Sequence, residues 1–428
     1  MLPFLLEIGT EEIPDWMIPG ALEHLEKLFE ELLAKERLAH EALQLDATPR
    51  RLVLRCAGIQ EAQETTESVV TGPPVSAAFK NGEPTPAAHA FAKKMQTEVA
   101  SLRRETTPKG EYLAFTQRIE GAPAAKILAE ALPSLILSIP FPKTMVWAGK
   151  GTSRFIRPIR WLVAILGDAV LPFAIEGVES GNRTEGHRRL GKPNLAVTFG
   201  NYESVLHENG VVLSAAERRR RIVEGAEALS AKQGVQVSLD PRLLETLVYI
   251  TEFPTPILGS FAKEYLSLPE EVLITVMRYH QKYFAVHRED GTLAPHFAAV
   301  MNTAADPDGM VVSGNERVLR ARFNDARFFW DFDQKATLAD RVESLCHVTF
   351  HAKLGNYLEK TNRNRERIAA LAPLAGADAA AADRAALLAK CDLTTELVKE
   401  FTELQGVVGG LYARHQGEEE EVARAIYG

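Results

Sequence analysis

Apolar residues recur along this chain with two different periods, and the change from one to the other orders it into segments. The run from Phe4 to Ile8 predicts a strand. Leu22, Leu25, Leu28, Phe29, Leu32 and Leu33 then fall on one face of a helix whose other face carries glutamates. Strand spacing resumes over Arg51 to Cys56, and the Pro- and Gly-rich stretch from Gly72 to Pro86 reads as a loop or linker and a candidate boundary. From Leu113 to about Asn302, short β-type runs (Leu113 to Ile119, Leu162 to Leu166, Leu171 to Ile175, Phe297 to Val300) alternate with helical ones. After Gly314 the strand signal disappears, and helices are predicted over Glu316 to Asp331, Leu338 to about Leu371, Ala379 to Leu388 and Leu393 to Tyr412. The pattern predicts an α+β fold in three parts: an N-terminal α/β segment over 1–72, an α+β body over 87–314 and a helical domain over 315–428. No internal repeat is present.

The stretch Ser267 to Asn302 is the most informative. Ser267 with Glu270 three residues on and Pro269 in the first turn predicts a capping box, followed by a helical stripe of Val272, Leu273, Val276 and Met277. A β-rich run from Tyr283 to Val286, turn chemistry at Asp290-Gly291 and a second run from Phe297 to Met301 predict a hairpin. His280, Gln281, Lys282 and Tyr283 fall at the joint. Imidazole, ammonium and amide donors suit phosphate, and a tyrosine ring can stack on a base, so His280, Lys282 and Tyr283 are candidate RNA contacts. The competing use is a satisfied polar edge of an ordinary domain.

Charge changes the picture locally rather than globally. The net charge of −8 argues against a protein coated in nucleic acid. Yet Lys143 to Gly167 holds five basic residues (Lys143, Lys150, Arg154, Arg157, Arg160) and no acidic one, with Trp147, Phe155 and Trp161 interleaved. Arg154, Arg157 and Arg160 are therefore candidate RNA contacts. Further basic clusters occur at Arg183 with His187 to Arg189, at Arg218 to Arg221, and at Arg317, Arg320, Arg322 and Arg327. A solvated face is the competing use of any one of them. On the helix from Glu316, Leu319, Phe323, Ala326 and Trp330 share one face, while Arg320, Asn324, Arg327 and Asp331 share another. The first face packs; Arg320 and Arg327 on the second are candidate contacts, with Glu316 and Asp325 as alternative salt-bridge partners.

No run of about 18 uncharged apolar residues occurs, and Met1-Leu2-Pro3 leads directly into the first strand without a basic leader. A protein that is neither secreted nor membrane-spanning is expected, located in the cytoplasm. Cys56, Cys346 and Cys391 show neither a disulfide framework nor a CxxC spacing, which fits a reducing compartment. Phosphate-loop, dinucleotide, GxSxG, HExxH and EF-hand motifs are absent, so no self-contained catalytic site is expected. One metal candidate remains: His347 and His351 at i, i+4 on a predicted helix, with Asp392 on a later one.

Five segments carry a resemblance: Ile8-Gly9-Thr10-Glu11-Glu12-Ile13-Pro14, Thr48-Pro49-Arg50-Arg51-Leu52, Arg154-Phe155-Ile156-Arg157-Pro158-Ile159-Arg160-Trp161, Ser180-Gly181-Asn182 with Gly186-His187, and the stretch from Ser267 to Asn302. In this order over residues 1 to 428 they resemble the β subunit of bacterial glycyl-tRNA synthetase. The resemblance implies an α2β2 heterotetramer in which the α subunit holds the site for ATP, magnesium and glycine. The β subunit binds tRNA-Gly, so no cofactor is expected in this chain. It also implies that the 315–428 region is HD-like, and that family members continue beyond Gly428 into an anticodon-binding domain. The HD metal pair is not matched, because Leu387 to Asp392 has no histidine before the aspartate. Two further functions stay open: an HD-type metal-dependent phosphohydrolase using His347, His351 and Asp392, and a purely structural docking subunit.

Overall fold

The computed structural model describes residues 1–80, 82–108, 110–147 and 153–428, in two units, Met1–Asn209 and Gly210–Gly428. The first unit runs β1 (Leu2–Thr10), α1 (Ile18–Lys35), β2 (Leu43–Thr48), β3 (Arg51–Ile59), β4 (Thr66–Pro74), α2 (Pro86–Lys94), β5 (Arg103–Thr107), β6 (Gly110–Ile119), α3 (Ala124–Ser138), β7 (Ile159–Leu166), β8 (Val178–Gly181) and α4 (Tyr202–Glu208), with shorter pieces between. β1 lies inside the main sheet, antiparallel to β3 on one side and to β7 on the other. Every residue from Phe4 to Thr10 is therefore buried, which is why this strand reads as a continuous apolar run rather than an alternating one. Of the predicted α1 stripe Leu25, Phe29 and Leu33 are buried, joined by Ile18 and Ala21, while Leu22, Leu28 and Leu32 are only partly covered; Phe29 stacks on Phe4 at 5.1 Å. β4, β6 and β5 form a second, three-stranded sheet whose small core contains Phe91 and Leu113.

The 72–86 stretch is not the loop its Pro and Gly content predicts. β4 reaches Pro74, Val75–Ala78 makes a helical turn, and Phe79–Lys80 pairs with Glu83–Pro84. Pro73 and Pro74 close β4, Pro84 ends a two-residue strand and Pro86 opens α2, places where a missing N–H costs little.

In the second unit follow α5 (Ala215–Gln233), α6 (Pro241–Ile250), β9 (Pro254–Ser260), α7 (Glu270–Thr275), β10 (Phe284–His287), β11 (Leu293–Asn302) and α8 (Met310–Asp333). The remainder is α9 (Tyr357–Ala375), α10 (Ala379–Leu388), α11 (Glu396–Glu400), α12 (Val407–His415) and α13 (Glu420–Tyr427). A four-stranded antiparallel sheet, ordered Gln236–Val237, β10, β11, β9, packs one face on α5 and α6 through Ile222, Leu247, Phe284 and Val286. Its other face contributes Ala285, Phe297 and Ala299 to a larger core built by the helices. There the stripe Val272, Leu273, Val276 and Met277 shares a core with Leu319, Phe323, Ala326 and Trp330 of α8. Fold class is α+β, as the two periodicities predict.

Three local expectations are corrected. Ser267 closes a 3-10 turn, Lys263–Ser267, and its hydroxyl donates to the Glu264 carbonyl; α7 starts after Pro269 with no side-chain cap. The helix predicted over 338–371 is broken: 3-10 turns lead to a small hairpin, Thr349–His351 with Gly355–Asn356, and only then does α9 begin. α9 has the capping box, with Asn356 and Glu359 as its reciprocal pair. The helix predicted over 393–412 is likewise divided, into Cys391–Thr394, α11, Thr402–Leu404 and α12.

Candidate nucleic-acid interface

The motifs of the first unit, separated along the chain, meet at the C-terminal end of β1. The Glu11 amide donates to the Pro158 carbonyl, and the Thr10 and Ile13 amides donate to Arg50 and Pro49. Three segments distant in the chain are thus stitched into one rim. Arg157 Nε donates to the Glu12 carbonyl at 2.9 Å, Arg160 to Glu11 Oε1 at 2.8 Å, and Arg188 to Glu11 Oε2 at 2.8 Å with an ion pair to Glu12 at 3.1 Å. Hydrogen bonding from Arg160, with further help from Arg188, holds the Glu11 carboxyl below the usual carboxylate range despite partial burial. Arg154 is exposed and donates to the Thr144 hydroxyl and carbonyl, and Lys143 is exposed nearby in sequence. Lys150 lies outside the described residues. His187 is buried, and its Nδ1 accepts from the Arg189 and Leu190 amides, shaping the turn that exposes Arg188 and Arg189.

A buried network holds this rim from beneath. Glu7 and Arg51, both fully buried on facing strands, pair at 2.9 Å; Thr184 donates to the same Glu7 oxygen, and Arg51 also donates to the Glu185 carbonyl. Burial pushes the Glu7 carboxyl up, against the opposing pull of Arg51, Thr184, Trp161 and Tyr202. The guanidinium carbons of Arg50 and Arg51 lie 5.4 and 5.5 Å from the Trp161 ring. Gly9 pairs with both Arg51 and Trp161, and a Cβ there would fall inside the indole, so only glycine admits this packing. The sequence pattern points to the arginines but not to Glu7, whose place inside an apolar strand run is the one signal it offers.

In the second unit the joint before β10 is a π turn, Val276–Gln281, closed by Lys282 in the left-handed region at φ 61°. Tyr283 is only 7% exposed, stacked on Phe297 at 4.6 Å, and its hydroxyl donates to Asn315; burial raises it to about 12. Both its ring and its hydroxyl therefore have partners within the fold. His280 packs edge-on against Phe401 and lies 3.8 Å from Glu403. Lys282 is exposed and donates to the Tyr279 carbonyl. The exposed aromatic here is Tyr279, with the Arg278 guanidinium 4.9 Å from its ring, and neither stands out in the sequence. Their alternation with buried Val276 and Met277 is the signal that could have found them.

On α8, Arg327 pairs with Glu264 at 3.3 Å and lies over the Tyr265 ring, so its partner comes from the preceding 3-10 turn rather than from Glu316 or Asp325. Glu316 instead accepts from Ser260, and Asp325 is near Arg322. Arg320 is exposed, with no ion pair among the described residues. The metal candidates lose their helical premise: His347 ends a 3-10 turn and His351 ends a strand, where its Nδ1 accepts from the Lys353 amide. Asp392 is fully buried and accepts from the Gly406 amide at 2.5 Å. No group of three or more metal-binding side chains is assembled among the described residues, and the Glu11 and Glu12 carboxylates are held by arginines. These side chains do not fit a magnesium or transition-metal centre.

No described helix is long and apolar enough to cross a membrane. The family model described as glycyl-tRNA synthetase beta subunit matches residues 4–428. The glycine-tRNA ligase beta subunit of Acidobacterium capsulatum is 49% identical, covering 100% of this chain and 62% of that protein. Those of Trichlorobacter lovleyi and Myxococcus xanthus are 43% and 42% identical, each over 99% of this chain and over 62% and 60% of their own lengths. The chain thus spans about three fifths of the length of these relatives. With a match that runs almost end to end through the stitched rim and the π-turn joint, this chain belongs to the glycyl-tRNA synthetase beta subunit family.

Proposed function

We propose that this chain is the tRNA-binding portion of a cytoplasmic glycyl-tRNA synthetase beta subunit. It positions tRNA-Gly for ATP-dependent glycylation at the active site of an alpha-subunit partner in an α2β2 assembly. The observation that carries the reading is the rim at the end of β1, where Arg160 and Arg188 pair with the Glu11 and Glu12 carboxylates and Arg157 is held by the Glu12 backbone carbonyl. Guanidinium groups held at a sheet end are preorganised for phosphate, and here three of them are fixed by two carboxylates and a backbone carbonyl, which leaves one positive charge in excess. Activation of glycine with ATP and magnesium is assigned to the partner; this chain's residues bind and orient. Holding the acceptor arm in register converts an encounter into an intramolecular approach, which is where a subunit without its own reacting groups contributes to rate.

The test uses full-length protein with its partner and labelled tRNA-Gly over a salt series. Arg154→Glu, Arg157→Glu and Arg160→Glu together should weaken binding and flatten the salt dependence, by about one in slope for each phosphate no longer neutralised. Arg154→Gln alone, at a side chain with no ion pair among the described residues, should move affinity in the same direction. Because the rim arginines are themselves paired, a docking platform is the second reading. It predicts unchanged tRNA affinity in the triple variant with loss of association to the partner, and that result overturns the first.

A further inference from the structure

An i→i+5 turn interrupts regular helical hydrogen bonding and recurs at functional sites, so the π turn before β10 invites the question of what it presents. Here it is followed at once by a non-glycine residue in the left-handed region, Lys282, a second local cost. What these two departures achieve is visible in the surface beside them. Arg242, Leu243, Thr246, Arg278, Tyr279 and Lys282 line one small hollow. A larger cleft of about 330 Å³ adjoins it through the shared Leu243 and Arg278, with Ser238, Asp240, Phe284 and His287 among its walls. Tyr279 is 40% exposed, and Arg242 and Lys282 are exposed with no ion pair among the described residues. The carboxylate in the walls of these hollows, Asp240, is already committed: one oxygen caps α6 at the Leu243 amide, and the other holds Arg278 at 2.9 Å. The surface therefore offers an aromatic ring and two cations with little to repel an anion.

We propose that these adjoining hollows form a subsite for unstacked RNA nucleotides, with one base on Tyr279, its phosphate between Arg242 and Lys282, and the neighbouring base in the larger cleft. The inference rests on the reading that the chain binds tRNA, and it goes further in naming single-stranded rather than helical RNA as the ligand here. A tyrosine face accepts any base, and two cations lining one small hollow suit one phosphate better than a duplex backbone. Ser238 and His287, hydrogen-bonded to each other at 2.7 Å, and the Asp240–Arg278 pair give the cleft wall fixed polar edges for a base. Tyr283, the aromatic candidate of the sequence pattern, forms part of the wall but keeps its ring on Phe297.

Fluorescence anisotropy of the full-length protein with a labelled single-stranded tetraribonucleotide, and with a blunt-ended RNA duplex long enough to stay paired under the assay conditions, tests this. The single strand should bind and the duplex should bind far more weakly. Tyr279→Ala should weaken the single strand by about tenfold, while Tyr279→Phe retains it. Arg242→Gln with Lys282→Gln should lower the salt dependence of the same complex. Circular dichroism establishes that each variant is folded. Equal binding of duplex and single strand, or a Tyr279→Ala affinity within twofold of the parent, overturns the subsite. The Arg154, Arg157 and Arg160 triple variant should keep tetranucleotide binding, so failure of the tRNA reading at that rim and failure of this subsite are separate results.

Discussion

At the residue scale the first unit depends on a charged pair where an apolar pair would be expected. Glu7 and Arg51 are completely buried and pair with each other, and Thr184 and the Glu185 carbonyl supply further hydrogen bonds to the pair. Removing one partner leaves an uncompensated charge in a dry environment. Arg51→Met should therefore destabilise the protein by about 3 kcal/mol or more, read as a lower urea midpoint, and should be the harsher change than any rim substitution. Glu11, partly exposed at the rim, gives the opposite electrostatic case. Its folded titration lies below the ordinary 4.5 because Arg160 and Arg188 donate to it. Its contribution is thus present above 4.5 and lost as pH falls through the lower folded value. Carboxyl NMR titration should show this depressed midpoint, and Arg160→Gln should return it toward 4.5.

At the element scale the π turn and Lys282 show local conformation yielding to tertiary demand. The sequence around it reads as one helix followed by a strand, and that much is present. What periodicity could not supply is that the helix loosens into i→i+5 bonding, because the core on one side must hold Val276 and Met277 while Tyr283 and Phe284 enter two different cores. A lysine in the left-handed region costs about 1 kcal/mol relative to glycine. Lys282→Gly should raise thermal stability while weakening tetranucleotide binding, and a loss of both stability and binding would mean that the backbone strain is not there to be relieved. The broken helix over 338–371 has a similar origin. Asn356, with Glu359 three residues on, is a capping signal in the middle of that stretch, and Gly355 at φ 89° ends the hairpin before it. Both are visible in the sequence, but the apolar spacing on either side continues at helical period and masks the break.

At the scale of the whole molecule a net charge of −8 coexists with confined basic surfaces. The clusters are not equivalent. Arg220, inside the Arg218 to Arg221 run, is held by Glu217 and Glu224, while Arg218 is buried and donates to three backbone carbonyls. Arg220→Gln should leave tRNA affinity within twofold of the parent, whereas the rim triple variant should not, and equal losses from both would point to bulk charge rather than a defined interface. By itself the sequence determined the α+β class, the strand and helix stripes that build the cores, and the family, because these follow from local periodicity and from motifs contiguous in the chain. Only the tertiary structure decided which charges are neighbours. Glu11 finds Arg160 and Arg188 across β1, Arg327 finds Glu264 rather than a helical neighbour, and Tyr279 rather than Tyr283 reaches the surface. Exposure and pairing depend on strand register and on turns between elements, and neither is written in the spacing of residues along one segment.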